Sequence, residues 1–578
     1  MPAPAGAVLD SRTESPPTRD DTARRYRHVR AFLARPLAAG LVLLVCYFAA
    51  AAFNSPRGYL GTDTGAKVAT LRVMQSHHTF DPDAGYWARA NDPDGSLHPL
   101  YDTRQVDHKY VAVTTLPMLL LARPLWALGG MHLALLLPML GAVAVAFAAR
   151  ALGKRIGSRS PATAFWVVGL ASPVFLYALD LWEHTVGLAC MAWAVVLLHD
   201  CWSRRDVRSR AVWFRAVGAG ALFGLGATMR TEALLYGAVA TAVTALAIAV
   251  ADRSLRRAAP VALGSLAGIA PVLVAYDRLE RAILGGSLRS SRAAGTAGAA
   301  GSEAATRLGE ALRTTIGLNY ASLGVEALAG GCVAIALVAA AVMLAGRRGR
   351  PRHQAELLGS VAVLLAVRFH SGLSFVSGFV PALPIAAFGA VLAWRDSRRR
   401  ILAVIALVAL PGVWMLQYTG GAGPQWGGRY VLLTGLLLAV VGIVATETLP
   451  HWSRLAALAL CVGVTLAGVR YLEIRTHEGA RVADTVAAIP DDVVISRLAH
   501  LFREAGSRYT PERQWLTALG DRDLARATDI ARAHDAQTVA VVAEPGPRAR
   551  LAGYRFTGRT ALPVFSETLA VDSYRRLP

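Results

Sequence analysis

Pro36-Leu-Ala-Ala-Gly-Leu-Val-Leu-Leu-Val-Cys-Tyr-Phe-Ala-Ala-Ala-Ala-Phe53 carries no charged side chain. A helix rises about 1.5 Å per residue, so a run of this length approaches the roughly 30 Å hydrocarbon core of a bilayer. Arg24, Arg25, Arg27 and Arg30 precede it, and Asp63 is the first acid of the long polar stretch behind it. Basic clusters favour the cytoplasmic side, so this helix is expected to run from inside to outside. The segment 1–35 before it, rich in Pro, Arg, Asp and Ser, reads as a disordered cytoplasmic tail.

The same texture recurs along the chain. Apolar runs occupy Met131–Ala149, Ala162–Leu179, His184–Leu198, Val212–Met229, Leu234–Val250, Val261–Tyr276, Gly324–Leu344, Leu357–Phe369, Phe375–Trp394, Ile401–Gln417, Tyr430–Val444 and Leu455–Tyr471. Basic clusters stand at the ends of alternate runs: Lys154, Arg155 and Arg159; Arg204, Arg205, Arg208 and Arg210; Arg253, Arg256 and Arg257; Arg347, Arg348, Arg350 and Arg352; Arg395 and Arg398 to Arg400. The composition agrees, with 54% apolar and 17% charged residues and a mean hydropathy of +0.40. Soluble proteins carry roughly 25% charged residues. The expected fold is an α-helical polytopic membrane protein with about 13 transmembrane helices.

The net charge of +21 does not point to nucleic acid, because the cations sit in short loops that would face anionic lipid headgroups. Arginine far outnumbers lysine, which suits a GC-rich bacterial genome and a bacterial plasma-membrane location. The five cysteines lie in or beside apolar runs without CxxC spacing, so neither a disulfide framework nor structural zinc is expected.

Parity constrains one further run. If Val111–Leu128 spanned the bilayer, Lys154 and every later cluster would be inverted. This run, which contains Arg123 and Pro124, is therefore placed at the outer interface or as a re-entrant element. An odd number of spans sends the C-terminus outside. Residues 36–471 then form the membrane module, with 54–130 as its first outer loop. Residues 472–578 form a small extracytoplasmic α/β domain, with strand-like runs Val493–Ile495 and Thr538–Val542 around a helical stretch Asp521–His534. The Gly/Ala/Ser-rich loop Gly285–Ser302 reads as a mobile substrate-facing element.

The polar residues of interest collect on the expected outer face. Asp63 lies in Tyr59-Leu-Gly-Thr-Asp63-Thr-Gly65. The stretch Thr64–Ser76 fits an amphipathic interfacial helix with Val68, Leu71 and Met74 on one side and Lys67 nearby. Two roles stay open for Asp63: a helix N-cap, or a general base taking a proton from an acceptor hydroxyl. Asp81-Pro-Asp83 reads first as a turn and second as hard oxygen ligands for a divalent ion. Arg230-Thr-Glu232 interrupts an apolar stretch, and its guanidinium suits either a salt bridge or a lipid phosphate. His108, Lys109 and Arg429 are candidates of the same kind. Trp426 and Tyr430, in the glycine-rich run Gly420–Tyr430, suit a polyprenyl-phosphate head or an aromatic belt. Asp180, Glu183 and His184 read as a solvated turn, with an acceptor site as the alternative.

Four of these elements, in this order, resemble the GT-C superfamily of membrane glycosyltransferases. The nearest texture is the bacterial branch of protein mannosyltransferases, the lipid A aminoarabinose transferase and the Rgt-like enzymes. The elements are Gly61-Thr-Asp63 after the first helix; Asp107-His-Lys-Tyr110-Val-Ala-Val-Thr-Thr-Leu-Pro117 leading to Leu128-Gly-Gly130; Gly224-Leu-Gly-Ala-Thr-Met-Arg230-Thr-Glu232; and Gly420 to Tyr430. The chain departs from the pattern in two places. No second acid follows Asp63, and Val-Ala-Val-Thr-Thr replaces a Pro-Pro-Gly turn, so Asp81 and Asp83 stand as alternative acids.

The resemblance implies inverting transfer of a sugar from a polyprenyl-phosphate donor to an envelope glycan, glycolipid or protein on the outer face. Asp63 would be the base. Lys109, Arg230 and Arg429 would hold the donor phosphate, with His108, Glu232, Trp426 and Tyr430 as further substrate contacts. No metal site is assigned, and a divalent ion is left open as the one cofactor. The rivals are a polysaccharide polymerase or ligase using a lipid-diphosphate donor, and a transporter or flippase. A transporter should show internal symmetry and several mid-helix charges, whereas Arg368 is the main one here.

Overall fold

The computed structural model describes residues 36–112, 115–203, 209–288, 304–317, 325–345, 351–370, 375–416, 425–565 and 567–578. Most apolar runs of the sequence fall on a helix, but Ala162–Leu179 divides into Pro161–Leu170 and Pro173–Ala178, and Phe375–Trp394 contains the separate helices Phe379–Ala382 and Ile385–Leu392. Seven helices among the described residues are long and apolar enough to cross a membrane: Leu136–Arg155, His184–Ser203, Arg210–Met229, Glu232–Asp252, Leu255–Leu284, Ser397–Leu416 and His451–Ala487. Shorter apolar helices include Pro36–Ala51, Pro161–Leu170, Gly330–Met343, Ile385–Arg395 and Leu432–Thr446. The chain is a multi-pass helical membrane protein. Most of the loop Gly285–Ser302 and the glycines of Gly420–Pro424 lie outside the described residues.

Two small sheets sit at one end of the helices. Strands β1 (Thr103–Val106) and β2 (Lys109–Ala112) form an antiparallel hairpin in the first loop. The other five are β3 (Val493–Ser496), β4 (Trp515–Thr517), β5 (Thr538–Ala543), β6 (Tyr554–Val564) and β7 (Glu567–Arg576), in the order β4-β3-β5-β7-β6. Strand β3 is parallel to both neighbours and buried along its whole length, as a central parallel strand requires. The strand runs and the helix Asp521–Ala533 lie where the hydropathy pattern places them.

The helix Thr62–Ser76 differs from the interfacial helix expected of it. It is buried on two sides. Val68, Leu71 and Met74 pack into the core of the membrane helices, as their spacing requires. Ala66, Ala69 and Val73, on another side, share a second core with Val482, Phe502, Ala505 and Trp515. The small side chains of Ala66 and Ala69 let the terminal segment approach closely. The N-cap position belongs to Gly61, and Asp63 stands inside the first turn, so the capping role does not apply to it.

Val111–Leu128 contributes to strand β2 and to the helix Leu116–Ala134, which breaks at Gly129 and Gly130. Arg123 on that helix is 7% exposed and donates to the carbonyls of Thr79 and Met74 at 3.2 and 3.3 Å. The charge thus caps the C-terminal end of the helix Thr62–Ser76, where a cation meets the negative pole.

The first loop and the terminal segment are in direct contact. Arg57 pairs with Asp484 at 2.8 Å, Arg526 with Asp92 at 2.8 Å, and the Tyr509 hydroxyl donates to Gly85 O at 2.9 Å. Both therefore lie on the same side of the membrane helices. The helix His451–Ala487 runs without interruption from the bundle into this layer.

Candidate active site

Asp63 is placed where four parts of the chain meet. They are its own helix, the turn Leu179–His184 between two helices, the loop carrying Arg429, and the short helix Leu501–Glu504 carrying Arg503. Arg429 Nη1 lies 3.4 Å from Asp63 Oδ2, and Arg503 Nη1 lies 3.4 Å from Oδ1. The carboxylate is 37% exposed, so it is held from both sides and still open on one. Burial alone would raise its pKa. Arg503, then Arg429 and Lys67, more than offset that effect and hold it below the ordinary carboxylate value, while Glu183 opposes them.

A second layer lies beneath. The Lys67 ammonium, 2% exposed, pairs with Glu183 Oε2 at 2.5 Å and donates to Leu181 O at 3.3 Å. Glu183 also receives Arg230 Nη1 at 3.3 Å, and Arg230 Nε reaches Glu232 at 2.9 Å. Burial would raise the Glu183 pKa, but Lys67 and Arg230 drive it far below the usual range. Asp180 accepts from the Thr64 hydroxyl at 3.0 Å. Burial pushes its pKa from 3.8 to about 7 in spite of that hydrogen bond and of Lys67. Tyr430 lies between two guanidiniums, with Arg230 and Arg429 at 5.0 and 4.8 Å from its ring centre.

The expected solvated turn at Asp180, Glu183 and His184 is therefore a buried one: these residues are 2%, 7% and 2% exposed. Their charge suggested water; the tertiary partners Thr64, Lys67 and Arg230 replace it. His184 is stacked on Tyr177 at 4.8 Å and on Trp182 at 4.6 Å.

Around this site the buried donors without a partner among the described residues include Arg230 Nη2, Arg429 Nε and Arg503 Nε and Nη2, and neither ring nitrogen of His184 has a partner. Lys67, Arg230, Arg429 and Arg503 pair with Asp63, Glu183 and Glu232, and Asp180, raised to about 7, lies beside Lys67. Unsatisfied buried guanidinium donors suit an anion. Arg230, Arg429 and His184 border a narrow, closely packed cleft whose lining also includes Glu232, Tyr430 and Leu432. A second, apolar hollow shares Leu432 and continues along Pro173, Val174, Phe379, Leu383, Gly435 and Leu436.

The structure thus brings together Asp63, Arg230, Glu232, Arg429 and Tyr430 from the sequence-based set. It adds Lys67, Glu183 and Arg503. The rest fall elsewhere. Lys109 pairs with Asp81 at 2.8 Å and donates to Ile283 O at 2.6 Å, and the His108 side chain is 82% exposed. Asp81 accepts from Asp83 N at 3.3 Å, and Asp83 from Gly85 N and Tyr110 N at 3.0 and 2.8 Å, which is the bonding of a turn. Trp426 is 1% exposed and its carbonyl accepts from the Tyr177 hydroxyl at 2.7 Å, so it serves the core and not an aromatic belt. Among the described residues no group of three or more His, Cys, Asp or Glu is placed to hold a metal ion.

No family model and no curated protein matches the chain. Solved structures do. ArnT from Cupriavidus metallidurans in the apo state superposes with a TM-score of 0.50 at 12% identity, over 94% of this chain and 98% of that one. The same enzyme bound to undecaprenyl phosphate gives a TM-score of 0.51 at 13% identity, with the same coverage. A weaker likeness, to the apo oligosaccharyltransferase of Archaeoglobus fulgidus, has a TM-score of 0.46 at 11% identity, over 87% of this chain and 69% of that one, and carries no weight. Agreement along nearly the whole of both chains shows that this protein has the fold seen in ArnT.

Proposed function

We propose that the protein transfers a sugar from a polyprenyl-phosphate donor to an envelope glycan, glycolipid or protein, with inversion at the sugar carbon. The observation that carries this reading is the half-open Asp63 carboxylate paired with Arg429, whose side chain also lines a cation-bearing cleft that adjoins an apolar hollow. The polar cleft suits a phosphate head and the hollow suits the start of an isoprenoid tail. The likeness to an ArnT structure bound to undecaprenyl phosphate supports the same donor class.

The chemistry follows from the charges. An acceptor hydroxyl attacks the anomeric carbon and passes its proton to Asp63. The bond from that carbon to the phosphate oxygen breaks, and its electron pair leaves with the phosphate. Negative charge grows on that oxygen, where the unpartnered donors of Arg230 and Arg429 stabilise it. Lys67 and Glu183 hold this array from below.

In this reading residues 36–471 are the catalytic membrane module. The loop 54–130 and the terminal domain 472–578 form one layer on the outer face of a bacterial plasma membrane, and the N-terminus is cytoplasmic. Lipid-linked donors on that face would meet Asp63 without crossing the bilayer again.

Asp63→Asn removes the proton acceptor and keeps the shape. Transfer of labelled sugar from the lipid-linked pool to the envelope fraction should fall by about 10²–10⁴-fold with normal membrane insertion. Transfer at the level of the unaltered protein would remove Asp63 from this role.

A further inference from the structure

The two arginines on Asp63 are anchored differently. Arg429 follows Gly427 and Gly428, whose φ values of +66° and +67° belong to the left-handed region. Its guanidinium is shared between Asp63 and the Tyr430 hydroxyl, which it reaches at 3.0 Å, and Nε has no partner. Arg503 lies on the short helix Leu501–Glu504, pressed backbone to backbone onto the helix of Asp63. A Cβ at Gly65 would stand 1.7 Å from Arg503 O, and one at Gly506 would stand 2.1 Å from Gly65 O. Glu504 is paired with Arg475, and the Ser507 hydroxyl donates to Arg57 O at 3.2 Å. The Arg503 side chain is 3% exposed and reaches Asp63 from this fixed base.

We infer that Arg503 is a positioning residue supplied by the terminal domain: it keeps the Asp63 carboxylate oriented while Arg429 is the arm that turns to the donor phosphate. This rests on the reading of Asp63 as the base. A phosphate in the cleft competes with Asp63 for Arg429, which lines the cleft and whose free Nε is available to it. Arg503 also has unpartnered donors, Nε and Nη2, but it does not line the cleft, and the close contact of Gly65 and Gly506 holds its backbone in place. With Arg429 withdrawn, one of the three charges depressing Asp63 is lost, Arg503 and Lys67 remain, and the carboxylate becomes a better proton acceptor. Its Oδ1 is still held. The other charged and titratable groups near Asp63 are Lys67, Glu183 and His500, and none of them changes partner in this exchange.

The test is the titration of Asp63 in the full chain in nanodiscs. It is read by infrared difference spectra against Asp63→Asn and needs neither the sugar nor the acceptor. Arg429→Gln should raise the midpoint yet leave it below the ordinary carboxylate value of about 4. Arg503→Gln should raise it by about 1–3 pH units and broaden the carboxylate band, and Arg503→Lys should recover most of the depression. Undecaprenyl phosphate added to the unaltered protein should reproduce the Arg429→Gln shift. An unchanged midpoint in Arg503→Gln overturns the inference. So does a full return to the ordinary value in Arg429→Gln alone, and that arm decides the matter if Arg503→Gln does not fold. Bound undecaprenyl phosphate with no shift also overturns it. By contrast, failure of undecaprenyl phosphate to bind sinks the donor assignment, and full transfer by Asp63→Asn sinks the base.

Discussion

Two acids of the first loop, Asp81 and Asp63, each meet cations, and they differ in what surrounds them. At the hairpin, Lys109 meets Asp81 at 2.8 Å with side chains 26% and 37% exposed, and the acid also closes a turn. Around Asp63, Lys67 and Arg503 are 2% and 3% exposed. The first pairing is complete in itself and screened by water. The second leaves buried donors unspent. Residue type and spacing made the two look alike; burial and incomplete pairing separate a site from a surface contact.

The contrast is sharpest at Glu183. Glu183→Gln leaves the Lys67 ammonium buried without its counter-charge, and removal of one partner of a buried pair costs about 3–5 kcal/mol. Denaturation in detergent should show a loss of that size, and a loss under 1 kcal/mol would mean that water reaches Lys67. Next, Arg230→Gln and Arg429→Gln each remove a charged donor from the cleft. Binding of undecaprenyl phosphate, followed by native mass spectrometry, should weaken by about 1.5–3 kcal/mol, or one to two orders of magnitude in Kd.

Asp180 gives a pH signature. Its folded pKa, raised from 3.8 to about 7, means that the folded state holds a proton that the unfolded chain has released across that window. Stability from this group is therefore present below the unfolded value and declines as pH rises toward about 7. Asp180→Asn should flatten that decline in a melting-temperature series, and an unchanged slope would rule the assignment out. The smallest effect belongs to the hairpin. Lys109→Gln and Asp81→Asn should each change stability by less than about 1 kcal/mol and transfer by less than about twofold. A large loss in either would return the hairpin to the site.

The helical architecture was legible because a bilayer demands long apolar runs and the loops between them carry their charge. Asp63, Arg230, Glu232, Arg429 and Tyr430 were legible because each breaks the local texture: a polar group beside glycine, or a charge inside an apolar run. Glu183 was misread because a charged residue between two helices looks solvated until Lys67 and Arg230 arrive from elsewhere. Trp426 was misjudged for a related reason, since an aromatic near a helix end suits an interface or a core equally well. Arg503 gave no signal at all. It sits in an ordinary polar stretch, Leu501-Phe-Arg-Glu504, and only the contact of Gly65 with its carbonyl makes it part of the site. Long-range contacts of that kind have no local pattern in sequence.

The contact between the two glycine backbones has a consequence for biosynthesis. The ribosome makes Asp63 early, Arg429 much later and Arg503 later still, while membrane helices insert in order of synthesis. For most of translation the acid is therefore a bare carboxylate with no arginine beside it. The candidate site is assembled only when the segment carrying Arg503 folds back over the first loop, so a chain interrupted before it leaves Asp63 without that arginine.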